Sequence, residues 1–147
     1  MYALGVTKTQ NRLRWVLACY NNKTIEFEKM EESLTIPEEV WSIKNLKIVT
    51  GLDGSSVLRR DLKLPLTTSR TLAQALPFQL EPLLPYPPDQ SIVYPQFHPS
   101  GKETFVVAWA TTPASVQSHF EKWKFLGIDP DLVSSETLAL ARWARRF

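Results

Sequence analysis

The chain has 147 residues, 44% of them hydrophobic and 22% charged, with a net charge of +2. This composition excludes a disordered or fibrous chain, and the length suits one ordinary domain or two small subdomains. A charge so near balance gives no footing for nucleic-acid binding, and the single cysteine, Cys19, excludes an intrachain disulfide. Cys19 ends the apolar run from Trp15, where a buried structural thiol in a reducing compartment is expected rather than a nucleophile. Met1 leads directly into an alternating segment, without the basic start and apolar core of a signal peptide. No run approaches the roughly 18–20 apolar residues of a membrane helix, so a soluble protein without membrane insertion is expected.

In chain order, period-two alternation predicts strands over Tyr2–Lys8, Arg12–Tyr20 and Thr24–Met30. The second should present Leu13, Trp15 and Leu17 to one face, and a turn at Asn21-Asn22 should join it to the third. In the third, Ile25, Phe27 and Lys29 are predicted on one face and Glu26, Glu28 and Met30 on the other, near a sheet edge. Ile36-Pro37-Glu38-Glu39 reads as the start of a short helix. Strands follow at Leu46–Thr50 and Val57–Leu64, with Leu58, Arg60, Leu62 and Leu64 on one face. Arg60 on that apolar face should lie at its rim or pair with an acid.

Leu72, Leu76, Leu80 and Leu83-Leu84 recur at helical spacing, but Pro77 and Pro82 interrupt them, which predicts a kink or two short helices. Pro85-Tyr86-Pro87-Pro88 should be a rigid extended loop. Strands are predicted over Ile92–Phe97 and Thr104–Thr111, joined by His98-Pro99-Ser100-Gly101. The near-continuous apolar run FVVAWA reads as a central strand covered on both faces. A helix from Pro113 with Val116, Phe120, Trp123 and Leu126 on one stripe should end at Gly127. Leu132-Val133 is a short strand, and Ser135 caps a last helix with Leu138, Ala141 and Ala144 inward. The whole is mixed α/β with an antiparallel opening. The chain stops inside that helix, and a piece of a longer protein is expected.

Asp53-Gly54-Ser55-Ser56 has the letters of a phosphate loop, yet it leads into a strand and lacks the glycine-rich motif and its lysine. A tight turn is the better reading. His98, in a loop, and His119, in a helix, have no ligand-spaced partners, and no serine stands in a nucleophile elbow, so neither a metal nor a catalytic site is expected. Trp109 and Trp123 are predicted towards the core. Trp143 lies near Leu140, on a helix face left open or used to recruit another copy. Arg142, Arg145 and Arg146 read as a solvated helix end favoured by the helix dipole, ahead of an anionic-lipid contact.

Leu64-Pro65, LPFQLE (Leu76–Glu81), LPYP (Leu84–Pro87), LGIDP (Leu126–Pro130) and ETLAL (Glu136–Leu140) occur in the order and spacing of a known family. On those segments the chain resembles the actin-like assembly proteins of bacterial secretion and pilus machines, PilM and the cytoplasmic domain of GspL. The likeness covers residues 50–147 well and 1–50 mainly by strand order. It implies a partial actin-like, ribonuclease-H-like core over 1–52 and, over 53–128, the inserted subdomain shared with FtsA and PilM. The segment 129–147 would be a return helix to the core.

The resemblance also bears on chemistry. The place of the actin-like phosphate loop reads Leu4-Gly5-Val6-Thr7-Lys8-Thr9, without the acid that anchors Mg²⁺ and the attacking water. No cofactor and no enzymatic activity are therefore expected. The implied role is a cytoplasmic scaffold at the inner face of the bacterial inner membrane. Its partners would be a secretion or pilus motor ATPase and inner-membrane assembly proteins, with a homodimer also expected as an option. Candidate partner-binding residues are Arg59, Asp61, Lys63, Pro85, Tyr86 and Asp89. The alternatives are an actin-like ATPase or kinase fragment and an FtsA-like division protein.

Overall fold

The computed structural model describes residues 1–144. In chain order its elements are β1 (Tyr2–Thr9), β2 (Arg12–Asn21), β3 (Thr24–Ser33), α1 (Glu38–Trp41), β4 (Lys47–Leu52) and β5 (Leu58–Leu64). Then come α2 (Ser69–Leu80), β6 (Ile92–Ser100), β7 (Glu103–Thr111), α3 (Pro113–Phe125), β8 (Leu132–Ser135) and α4 (Glu136–Ala144). They form two compact units, Met1–Asp53 with the chain from Phe120 onward, and Gly54–His119.

The first unit is a five-stranded sheet of order β3-β2-β1-β4-β8. β1, β2 and β3 form an antiparallel meander, whereas β4 runs parallel to β1 and β8 parallel to β4. Period two puts Leu4 and Val6 of β1 and Leu13, Trp15 and Leu17 of β2 on one face, and there they are buried with Val40, Trp123 and Ile128. The β2–β3 turn is Asn22-Lys23, one residue later than predicted, because both of its residues take the positive φ (46° and 70°) that a two-residue hairpin turn demands.

β3 extends to Ser33 and is an edge strand, but the predicted faces hold only in its first half. A bulge between Leu17 and Ala18 leaves Glu28 as an extra residue, since Phe27 pairs with Ala18 and Lys29 with Leu17. Beyond it the parity flips. Met30 joins Ile25 and Phe27 on one face, and Lys29 moves to the face of Glu26 and Glu31.

Helix α3 ends as expected. Gly127 has φ +72°, and the Ile128 N–H donates to the Trp123 carbonyl, closing the last turn. After this turn Asp131 holds the start of β4. Its carboxylate accepts from the Ile48 N–H at 2.9 Å and from Lys47 Nζ at 2.7 Å. The backbone hydrogen bond, then Lys47, lowers the Asp131 pKa below the ordinary carboxylate value. A carboxylate depressed in the fold stabilises above its unfolded pKa and loses that contribution as pH falls through the folded value. Asp131→Asn should therefore lower Tm at pH 7, and the gap to wild type should close on acidification below the ordinary carboxylate range. A pH series of thermal melts checks this, and a gap independent of pH would refute the charge argument.

The second unit is an antiparallel sheet of order β5-β7-β6. The leucines of α2 pack on one face of it, so that Leu72, Leu76 and Leu80 meet Leu64, Val106, Ala108 and Ala110. Pro77 does not break α2, which runs to Leu80; the break falls at Pro82, in a 3-10 turn at Glu81–Leu83. A mid-helix proline forfeits one hydrogen bond, and here the buried leucine stripe keeps the helix together through it. Arg60 is half-buried, and its Nε donates to the Leu83 carbonyl at 2.7 Å rather than to an acid.

Two expectations are corrected in the second unit. His98, Pro99 and Ser100 belong to β6, paired with Phe105, Thr104 and Glu103, so the turn is Gly101-Lys102. β6 is an edge strand, where prolines are tolerated. The FVVAWA strand is central but not covered on both faces, because Phe105 is 47% exposed and Val107 half-buried. In the first unit Leu138 is buried, with the Leu138 N–H directed at Ser135 Oγ, while Ala144 is exposed rather than inward. The Arg145-Arg146 end lies outside the described residues.

Candidate functional site

The parallel strands β1, β4 and β8 finish side by side, with Val6 opposite Thr50 and Leu52 opposite Ser135. Ligands of open sheets with parallel strands bind outside such carboxyl ends. Here a cleft of about 330 Å³ is bordered by Gly5, Thr7, Val16, Gly51, Ser134 and Glu136. Glu136 opens α4, and its Oε1 accepts a 2.9 Å hydrogen bond from Thr7 Oγ1. Gly51 lies within β4, not in the turn after it, and its bare Cα makes room. A Cβ there would come within 2.8 Å of Glu136 Cγ and 3.3 Å of the Glu136 nitrogen.

Sequence reasoning found no acid at the Leu4–Thr9 position, and none lies within that segment. The fold brings a carboxylate there from α4 instead. The available signal was a serine-acid pair, Ser135-Glu136, at the junction of a short strand and a capped helix. The arrangement differs from a phosphate-binding loop. β1 and β2 pair without interruption to a two-residue turn at Gln10-Asn11, so no loop aims amides at an anion. Without a cation between them, Glu136 would repel a phosphate.

The predicted partner-binding residues fall on two faces of the second unit. Arg59, Asp61 and Lys63 alternate onto the face of the sheet that α2 leaves open, opposite Trp109, Val107 and Phe105. Arg59 forms a two-pronged pair with Asp61 (2.9 and 2.8 Å) and lies 5.8 Å from the Trp109 ring. Lys63 pairs with Glu103 at 2.6 Å and lies 5.6 Å from the Phe105 ring. These exposed pairs add little stability. Tyr86 packs instead against the α2 core, where burial raises its phenol pKa against the opposing pull of Arg60. Pro85 beside it is exposed, and Asp89 is exposed in a 3-10 turn at Pro88–Gln90. No single surface therefore gathers all six.

Other residues are placed more simply. Trp109 and Trp123 are buried, as predicted. Cys19 is half-buried rather than fully buried, although it is paired on both sides, with Tyr2 of β1 and Glu26 of β3. Trp143 and Leu140 are exposed at 60% and 65%.

No protein-family model and no curated protein matches the chain. Among solved structures it is similar to the PilM–PilN type IV pilus biogenesis complex, with a TM-score of 0.69 and 16% identity over 93% of this chain and 48% of that one. It is also similar to the cytoplasmic domain of EpsL, an inner-membrane component of the type II secretion system of Vibrio cholerae. There the TM-score is 0.57 and the identity 15%, over 91% of this chain and 57% of that one. The chain thus spans about half the length of either structure. At these identities the likeness is one of fold, and the fold is the mixed α/β, actin-like one expected from the sequence.

Proposed function

We propose that this chain is part of a non-enzymatic scaffold in a type II secretion or type IV pilus assembly platform, related to PilM and to the cytoplasmic domain of GspL. The observation that carries the proposal is a shared fold over 93% of the chain, spanning both compact units. In this reading the inserted subdomain, expected over 53–128, corresponds to the compact unit Gly54–His119, and the rest is the actin-like core. The chain works at the cytoplasmic face of the inner membrane, linking a motor ATPase to membrane-embedded assembly proteins. Among the described residues no helix is long and apolar enough to cross a membrane. Arg59, Asp61 and Lys63 form one partner surface and Pro85, Tyr86 and Asp89 another.

The test is co-purification of the tagged chain with the motor ATPases of type II secretion and of type IV pili. One motor is expected to be retained at stoichiometric yield and lost in 0.5 M salt, as a polar interface would be, by order of magnitude of the Debye length. Retention of neither would overturn the scaffold reading. A second reading, actin-like nucleotide binding, draws on Glu136 at the strand ends. Calorimetry with Mg-ATP separates the two: micromolar binding would favour the second, and no heat the first.

A further inference from the structure

β3 is an unusual edge strand. Among the described residues it pairs with β2 alone, and along its 10 residues only Lys29 and Ser33 are even half-buried. Proteins ordinarily blunt such an edge with proline, lysine or brevity. β6 does so with Pro95 and Pro99. β3 has no proline, its one lysine is tied to Glu31 at 3.2 Å and Glu39 at 3.3 Å, and its single irregularity is the bulge at Glu28, which leaves Thr24–Phe27 and Lys29–Ser33 in regular pairing with β2.

Its two faces differ in kind. Ile25, Phe27 and Met30 share one, exposed at 42%, 66% and 75%. Glu32, paired with Arg14 of β2, ends that face; Glu26, Lys29 and Glu31 share the other, with Glu28 at the bulge between Phe27 and Lys29. Residues 24–39 hold six of the chain's 15 acids and one of its 17 lysines and arginines, although the whole chain is positive. A row of acids on an open edge repels the same edge of a second copy and attracts a basic strand. Protection against aggregation would explain the acids, but not three large apolar side chains on the opposite face.

We propose that β3 is a strand-addition edge, which takes an extended segment of a partner protein in which lysine or arginine alternates with apolar side chains. The unpaired backbone supplies hydrogen bonds, the Glu26–Glu31 face takes the basic side chains, and Ile25, Phe27 and Met30 take the apolar ones. This holds whether or not the chain belongs to a secretion or pilus platform.

The probe is a labelled peptide of about ten residues, the length of one strand, with alternating Lys and Val. Its controls are an isomer with all lysines in one block and a Glu-Val alternating peptide. Anisotropy at physiological salt should show the alternating basic peptide binding at least about tenfold tighter than either control. Amide exchange should slow within Thr24–Ser33. The double variant Glu26→Lys, Glu31→Lys should lose about tenfold in affinity while keeping the far-UV circular dichroism of the folded protein. Equal binding of the block isomer, absence of amide protection on β3, or full binding by the double variant would each overturn the proposal.

Discussion

Replacing Trp15 with alanine is expected to cost the first unit about 3–5 kcal/mol, the usual penalty for deleting a buried indole. Trp15 is 2% exposed and stands at the centre of the core face of β2, with Leu13 and Leu17 on either side. Its Nε1–H donates to Ser33 Oγ at 2.9 Å, and Ser33 in turn donates to the Thr35 carbonyl at 2.7 Å. The ring therefore fills the core and also fixes the end of β3 and the chain that leaves it. Lys29 lies 5.5 Å from the ring centroid on the wetter side. Trp15→Phe keeps most of the volume and loses the hydrogen bond, so it should cost less than the alanine variant. Urea unfolding followed by far-UV circular dichroism gives both values. Equal stability of wild type and Trp15→Ala would mean that the core is not built on this residue.

Gly51→Val is expected to cost about 3 kcal/mol, at the upper end for a side chain forced into filled space. Part of the clash could be relieved by moving the Glu136 side chain. The Glu136 nitrogen, 3.3 Å from the new Cβ, belongs to backbone at the strand-to-helix junction capped by Ser135. The variant should also break the Thr7–Glu136 hydrogen bond, opening the cleft at the strand ends. A double variant separates the causes. Glu136→Ala should restore part of the loss in Gly51→Val, because it removes the Cγ at 2.8 Å but leaves the backbone contact. Purely additive losses would show that the two sites do not touch.

The contrast between these two positions shows what was legible in advance. Period two alone put Trp15 on one face with Leu13 and Leu17, and that face is the buried one, since a strand's alternation says which residues share a side. Glu136 was not legible in this way, because its place depends on β8 pairing beside β4, a contact between distant segments that no local pattern encodes. β3 failed for a smaller reason. One bulged residue, Glu28, reverses the parity of everything after it, and bulges leave no compositional mark when the extra residue is an ordinary acid. Which of the two prolines ends the helix was not legible locally, because the packing of Leu72, Leu76 and Leu80 carries α2 through Pro77 to the 3-10 turn at Pro82. The six proposed partner residues were picked by charge and loop character, and such signals do not say which side of a sheet a residue faces.

The pairing of β4 with β8 has a consequence in time as well as in space. During synthesis, β1 to β4 emerge first, but β4 then has an open side until β8 arrives, after the whole of Gly54–His119 has been made. That intervening segment is contiguous, and every strand of its sheet is present before α3 is complete. The natural sequence of events is that the later-made unit closes first and the earlier-made one last. A nascent chain that has emerged from the ribosome as far as Asp131 holds a second unit with all its strands and a first-unit sheet one strand short, and that is the stage at which it is most exposed to wrong strand pairing.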